Sequence, residues 1–190
     1  MDPDMDLDEI LLDAEHRMDQ AVEKVAADFG AIRTGRANAQ ILQKITVDYY
    51  GAPTPLQQLA NFSVPEPRIL LVNPFDKGSV NQIEKAIRDS DLGLNPSSDG
   101  SVIRCVFPEL TEERRKDFIK LAKAAAEDGR IAVRNVRRSA RDGMQKLEDD
   151  GEVGTDERER ATKKLEELTS AHIARIDHLL EQKEQDLLEV

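Results

Sequence analysis

Apolar side chains recur at steps of one, three and four residues along the first part of the chain. This spacing puts them on one face of a helix with about 3.6 residues per turn, so the pattern predicts a helix over residues 7–32. The glycine of RTGRA, residues 33–37, is expected to mark the end of this helix. The positions on the apolar face are Leu7, Ile10, Leu11, Ala14, Met18, Ala21, Val22, Val25, Phe29 and Ile32.

From residue 36 to residue 108 the pattern changes to alternation and short apolar runs separated by proline and glycine. This pattern predicts a β-rich unit with one or two short helices. Ser79 and Gln82 resemble a capping box that opens one such helix. The segment DLGLNPSSDG, residues 91–100, is predicted to be turn. The predicted strands lie at 45–50, 62–64, 68–73 and within 101–108.

Two more helices are predicted in the second half of the chain. Thr111 is expected to cap a helix over 112–149, and Thr155 one that runs to about residue 189. The apolar seam of the first keeps its phase on both sides of Gly129, so we predict one continuous helix despite the glycine. The two seams are Phe118, Ala122, Ala125, Ala132, Val133, Val136, Ala140, Met144 and Leu147, and then Leu165, Leu168, His172, Ile176, Leu179 or Leu180, and Leu187.

Three long amphipathic helices predict an α+β protein in which a three-helix bundle carries an inserted β/α/β domain. The bundle would be discontinuous, with residues 1–35 and 109–190, and the inserted domain would span 36–108. Two short links between the domains imply hinge motion. The hinge residues are expected to be Thr34, Gly35, Ala37, Phe107, Pro108 and Glu109.

Composition excludes several classes of protein. One cysteine excludes an intrachain disulfide framework, and no apolar run reaches the roughly 20 residues of a membrane span. The acidic start MDPDMDLDE lacks the basic and apolar regions of a secretory signal. We therefore expect a soluble cytoplasmic protein.

Charge is distributed unevenly in a chain whose formal net charge is -11. Between Arg114 and Arg141 there are 10 lysines and arginines but only three acids, whereas both ends of the chain are acidic. On a helical projection most of these cations fall within an arc of about 100°, away from the apolar seam, over about 38 Å. We call this set the basic stripe: Lys116, Lys120, Lys123, Arg130, Arg134, Arg137, Arg138 and Arg141.

Arginine-rich stripes with few acids favour contacts with phosphates. The stripe predicts an RNA-binding face that recognises backbone and shape, because few aromatic residues accompany it for stacking on bases. A solvated face neutralised by neighbouring helices, or a face for a protein partner, remains the alternative.

Catalytic and metal-binding patterns are missing from the sequence. It contains no phosphate-binding loop and no nucleophile elbow. Cys105 lies in an apolar strand, and Tyr49 and Tyr50 are interpreted as strand and turn packing. The three histidines are not spaced to share a metal, and His172 is interpreted as a semi-buried residue with satisfied hydrogen bonds. We therefore expect neither an enzyme nor a bound metal or cofactor.

Several motifs, in order along nearly the whole chain, resemble the bacterial ribosome recycling factor family. They are IRTGRAN (32–38), VDYYGAPTPLQQLA (47–60), EKAIRDSDLGLNP (84–96), PELTEERRKD (108–117) and VRNVRR (133–138). The chain departs from the family in two places. Its acidic start is a few residues longer than is usual in the family, and Cys105 replaces a more usual aliphatic residue. The resemblance implies a long three-helix bundle and an inserted domain on a two-strand hinge, in an L-shaped arrangement.

The resemblance also implies a non-enzymatic, monomeric translation factor. Such proteins bind 23S rRNA of the large ribosomal subunit near the A and P sites, and with elongation factor G, which hydrolyses GTP, they split the ribosome after termination. Arginines of the family's motifs are implicated in subunit binding, and here they are Arg33, Arg36, Arg134, Arg137 and Arg138. Arg130, Arg141 and the three lysines of the basic stripe extend this set by helical geometry.

Two further hypotheses accompany this prediction. The alternative function is a helical-bundle adaptor that receives an acidic protein partner on the basic stripe. If the stripe binds RNA, the acidic first and last helices are expected to limit RNA contact to one side rather than to neutralise the stripe.

Overall fold

A computed structural model describes residues 5–189 of the chain, which leaves Met1–Asp4 of the acidic start outside the described residues. Within that range, long helices flank a set of short strands, as an α+β fold requires. The helices are α1 Leu7–Gly30, α2 Gln40–Gln43, α3 Val80–Asp89, α4 Glu112–Asp149 and α5 Thr155–Leu188. The strands are β1 Thr46–Tyr49, β2 Ala52–Pro55, β3 Ala60–Glu66, β4 Ile69–Pro74, β5 Asn95–Asp99 and β6 Val102–Val106.

The first helix buries the apolar face that its spacing predicts. Its buried residues run from Ile10 through Met18 to Phe29. The helix ends at Gly30, two residues before the predicted end, and Gly35 lies beyond it without a left-handed backbone. Gly35 therefore does not terminate the helix, and that prediction was wrong.

Helix α4 is continuous through Gly129, as its unbroken seam predicts. Thr111 caps it, because the Thr111 hydroxyl accepts a hydrogen bond of 3.2 Å from the backbone N–H of Arg114. A Cβ atom at position 129 would overlap Cγ2 of Val25 and lie 3.3 Å from Cδ1 of Ile176. The glycine thus lets α1, α4 and α5 approach closely, which makes it a packing residue of the bundle.

Helix α5 begins differently from the prediction. Thr155 is the first helical residue, and its hydroxyl donates to Oε1 of Glu148 at 2.7 Å instead of capping the helix. The backbone N–H of Gly154 donates to Oε2 of Glu157 at 3.2 Å. The predicted seam residues Leu165, His172, Ile176 and Leu187 are buried, whereas Leu168, Leu179 and Leu180 are half-buried.

The strands form two antiparallel sheets. β1 and β2 make a hairpin, and the other four strands are ordered β3-β4-β6-β5. Helix α3 lies against this sheet with Val80, Ile83 and Ile87 buried. The core that results includes the fully buried side chains of Leu42, Leu56, Leu70, Ile83, Ile87, Ile103 and Phe107.

Two sequence predictions in this region were wrong, and one strand was missed. The supposed turn 91–100 contains the strand β5, and the strand β2, which carries Pro53 and Pro55, was not predicted. Both strands are at the edge of a sheet, where the missing N–H of proline is tolerated. Ser79 precedes α3 without a capping hydrogen bond, and its hydroxyl donates to the backbone carbonyl of Asp76 instead.

The described chain separates into two compact units. The first combines the chain up to Phe29 with Lys120–Glu184, and the second combines Gly30–Ile119 with the residues from Gln185 onward. The first unit is the three-helix bundle, and the second contains both sheets together with the last turns of α5 and the first turns of α4. The predicted domain boundary, with a bundle of residues 1–35 and 109–190 and an inserted domain of residues 36–108, stays a prediction.

Candidate nucleic-acid interface

The basic stripe follows one side of α4, away from the residues that the helix buries. Lys120, Lys123, Arg134, Arg138 and Arg141 are exposed. Arg130 and Arg137 are half-buried, because they lie on the edge of the stripe closest to α5. Lys116 is exposed on the first turns of α4 and pairs with Glu112 of the same helix at 2.9 Å.

Three cations of the stripe reach carboxylates of α5. Arg130 donates to Asp177 at 2.8 Å, Arg137 lies 3.4 Å from Glu166, and Lys123 lies 3.5 Å from Glu184. The expectation that the acidic helices do not neutralise the stripe was therefore wrong for α5. Sequence reasoning missed these acids because helical phase reports neighbours on one helix and not on the helix packed beside it.

Glu127, on the same helix as the stripe, binds two of its arginines. Its two carboxylate oxygens each accept a hydrogen bond of 3.1 Å, one from Arg134 and one from Arg130. These hydrogen bonds lower the pKa of Glu127, so the carboxylate is ionised at neutral pH. Arg134 is nevertheless 45% exposed and presents the rest of its guanidinium to solvent.

Among the described residues, Lys120, Arg138 and Arg141 have no carboxylate within ion-pair distance. Their charges are available to an external anion without loss of an intramolecular contact. Solvent screens the exposed ion pairs of the stripe, so they contribute little to stability and a phosphate can replace the carboxylate at little cost. The positive charge of the stripe that is not paired within the protein is thus carried by these three residues, and Arg134 adds the exposed part of its guanidinium.

Arg33 lies in the core of the second unit and not on a surface. Its side chain is 9% exposed, donates to the backbone carbonyl of Pro108 and lies 5.9 Å from the centre of the Phe107 ring. Burial, followed by repulsion from Arg114 and Arg68, lowers the pKa of Arg33. This position supports a structural role and argues against the predicted RNA contact.

Arg36 remains a candidate for RNA contact. Its side chain is 72% exposed and pairs with Glu189 at 2.7 Å, close to the end of α5. The backbone N–H of Arg36 donates to the Thr34 hydroxyl at 3.2 Å, which orders the segment before it.

The predicted hinge residues are tied to the turn between β3 and β4. The backbone N–H of Ala37 donates to the backbone carbonyl of Pro67 at 2.7 Å. The backbone N–H of Phe107 donates to the backbone carbonyl of Arg68 at 2.8 Å. Arg68 also donates to the Glu109 carboxylate at 2.8 Å. Phe107 is fully buried, which argues against it as a flexible residue. The predicted hinge at Thr34, Gly35, Ala37, Pro108 and Glu109 remains a prediction.

Cys105 and His172 are buried in the described structure. Burial raises the pKa of Cys105 to about 12, so the thiol is protonated at neutral pH. His172 is buried, with Nδ1 2.7 Å from the Leu168 carbonyl and Nε2 2.9 Å from the Asp19 carboxylate, which confirms the prediction of satisfied hydrogen bonds. Residues 5–189 contain no cluster of three or more His, Cys, Asp or Glu side chains placed to hold a metal ion. No helix among them is long and apolar enough to cross a membrane.

Comparison with known proteins gives one consistent result. The family model described as "Ribosome recycling factor" matches residues 9–188. The ribosome-recycling factors of Beutenbergia cavernae and Kineococcus radiotolerans are 59% and 57% identical over 184 residues, which cover 97% of this chain and all of theirs.

Solved structures agree with these relatives. A solution structure of ribosome recycling factor matches 98% of this chain and 99% of its own, with 39% identity and a TM-score of 0.78. A second structure places the Thermus thermophilus factor with Escherichia coli elongation factor G on the E. coli post-termination complex. That factor is 43% identical, with a TM-score of 0.70, over 97% of this chain and all of its own. The chain belongs to the ribosome recycling factor family.

Proposed function

We propose that this protein binds the ribosome after termination and, together with elongation factor G, splits it into subunits for reuse. The observation that carries the proposal is the family match over residues 9–188. A structural relative that is 43% identical sits with elongation factor G on a post-termination complex, which supports the choice of partner.

The RNA contact in this proposal is the exposed part of the basic stripe. Lys120, Arg134, Arg138 and Arg141 would contact phosphates of 23S rRNA directly. Lys116, Lys123, Arg130 and Arg137 would exchange their carboxylate partners for phosphates or remain paired. Guanidinium groups suit this role because each can donate two parallel hydrogen bonds to a phosphate.

The remaining features of the proposal follow from the same family assignment. The protein acts as a cytoplasmic monomer without a cofactor, and hydrolysis of GTP belongs to elongation factor G. The domain of residues 36–108 moves relative to residues 1–35 and 109–190 through the links at Thr34–Ala37 and Pro108–Glu109. The adaptor alternative is not favoured, because the family match covers the bundle and the inserted domain alike.

Co-sedimentation with isolated large subunits tests the RNA contact. The variant Arg138→Glu with Arg141→Glu removes two exposed cations that have no ion pair to lose. We expect large-subunit affinity to fall by more than tenfold, and the slope of log affinity against log salt to decrease by about two, one for each lost phosphate contact.

The matched control is Lys163→Glu with Lys164→Glu, which makes the same charge change at exposed positions of α5. We expect this control to bind within about twofold of the wild type. A folded Arg138→Glu, Arg141→Glu variant that sediments like the wild type would contradict the proposal. Binding of a purified protein that survives nuclease treatment and depends on the same two arginines would support the adaptor alternative.

A further inference from the structure

The hairpin between β1 and β2 turns at an unusual residue. Tyr50 has φ of 50° and Gly51 has φ of 83°, so both central residues of the two-residue turn lie in the left-handed region. Asn-Gly is the pair that such turns favour. A left-handed backbone is uncommon for a bulky side chain, so a tyrosine at this position carries a conformational cost.

Hydrogen bonds hold the side chain of Tyr50 in one direction. Its hydroxyl donates to Oδ2 of Asp76 at 2.8 Å, and the Tyr49 hydroxyl donates to the same oxygen at 3.2 Å. The two tyrosine rings meet edge to face, with centroids 4.6 Å apart. The backbone N–H of Gly78 donates to the other oxygen of Asp76 at 2.8 Å, and a Cβ atom at position 78 would come within 3.1 Å of the Tyr50 hydroxyl.

Despite these contacts, the ring of Tyr50 faces solvent. Tyr50 is 77% exposed, and Phe75, the residue before Asp76, is 64% exposed. The chain has only five phenylalanines, two tyrosines and no tryptophan. Two of these seven aromatic residues are exposed, one hydrogen-bonded to Asp76 and the other next to Asp76 in the chain. The hydrogen bond from Tyr50 to Asp76 accounts for the position of the Tyr50 hydroxyl. This bond does not require the Tyr50 ring to be exposed, and it does not involve Phe75.

An ordered and exposed aromatic ring loses little conformational entropy when a partner covers it. Aromatic residues of this kind dominate the energetics of protein interfaces. The carboxylates of Asp76 and Asp48 both accept hydrogen bonds from the hairpin turn, from Tyr50 and Gly51, so the negative charge at this turn disfavours a polyanion. Ring faces next to carboxylates attract arginine and lysine side chains.

We propose that Tyr50, Phe75 and Asp76 form a docking surface for a protein partner that presents an arginine or lysine side chain. The inference rests on the proposed function, in which such a partner acts with this chain on the ribosome. The surface belongs to the second unit, and no residue of the basic stripe contributes to it.

Splitting of reconstituted post-termination ribosomes, titrated with elongation factor G, tests this surface. Tyr50→Asn leaves a residue that the turn prefers but removes the ring, and Phe75→Ser removes the second ring. We expect each to raise the concentration of elongation factor G at half-maximal rate by about tenfold. Large-subunit affinity should stay unchanged, because the basic stripe is intact.

Two controls separate docking from other roles. Tyr50→Phe keeps the ring and loses the hydroxyl, so it should stay within about threefold of the wild type. Val64→Ser changes an apolar residue of the same unit that is 48% exposed and should have no effect. The inference is overturned if Tyr50→Phe is as damaging as Tyr50→Asn, or if a variant that combines Tyr50→Asn with Phe75→Ser splits ribosomes normally. A fall in large-subunit affinity in place of the elongation factor G effect would also overturn it.

A cross-linking experiment makes the result independent of splitting. A photoreactive benzoylphenylalanine at position 75, in the complete complex, should link to an arginine- or lysine-bearing segment of a protein. A link to rRNA, to an acidic segment or to nothing would refute the docking surface. If the wild type did not split ribosomes at all, the proposed function would fail, while the cross-link would still decide the present inference.

Discussion

Gly129 offers a direct test of how closely the bundle helices pack. The substitution Gly129→Ala improves helix propensity by about 1 kcal/mol, so an exposed glycine in the middle of a helix would gain stability from it. At this position the new methyl group would overlap Cγ2 of Val25 and lie 3.3 Å from Cδ1 of Ile176. Carbon atoms in favourable contact lie about 3.5–4.0 Å apart, so both contacts are too short.

The balance of the two effects favours destabilisation. Val25 is 2% exposed and Ile176 is fully buried, and β-branched side chains have few alternative rotamers, so neither can move away easily. Overpacking of this kind costs about 1–3 kcal/mol. After subtraction of the propensity gain we expect a net loss of about 1–2 kcal/mol, because the closer contact is severe. For a chain of this length that corresponds to a decrease in Tm of about 2–8 °C.

Thermal unfolding followed by far-ultraviolet circular dichroism measures this change, since the three long helices dominate the signal. The control Gly35→Ala places a methyl group where no atom lies within 4 Å and should be neutral or slightly stabilising. Val25→Ala should partly rescue Gly129→Ala, with a coupling of about 1 kcal/mol in the double-mutant cycle. A Gly129→Ala variant that is as stable as the wild type, or a cycle without coupling, would refute the close approach of the helices.

Two further predictions concern buried or paired groups. Hydrogen bonds from His172 and Arg175 lower the pKa of Asp19 below its usual 3.8, so the contact stabilises the bundle above that pH and its contribution is lost as pH falls through the lowered pKa. Asp19→Asn should therefore flatten the fall in Tm below about pH 4 relative to the wild type. The control Glu23→Gln, at an exposed position of α1, should not. Equal profiles for wild type and Asp19→Asn would contradict the role of this contact. Cys105 is fully buried with a pKa raised to about 12, so iodoacetamide at pH 8 should modify it only after the second unit unfolds, and complete labelling of the native protein within minutes would show that the strand opens readily.

Much of the fold could be predicted because its information is local. The bounds of α4 at Glu112–Asp149 agree with the prediction, since helical phase and an N-cap threonine are readable from neighbouring residues. The strands β2 and β5 escaped prediction for the opposite reason. Their proline-rich composition is typical of turns, and only their place at a sheet edge makes it compatible with a strand.

The amino-acid sequence by itself determined the long helices, the segregation of cations onto one side of α4 and the family to which the chain belongs, because periodicity and motifs depend on residues close together in the chain. The tertiary structure alone decided which arginines and lysines, on α4 and elsewhere, lack a partner within the described residues. Asp177 reaches Arg130 from 47 residues away, and Pro108 holds Arg33 from 75 residues away. Such pairs form only when packing brings distant segments together. A single helical projection therefore shows on which side of a helix an arginine lies, but not which groups it contacts.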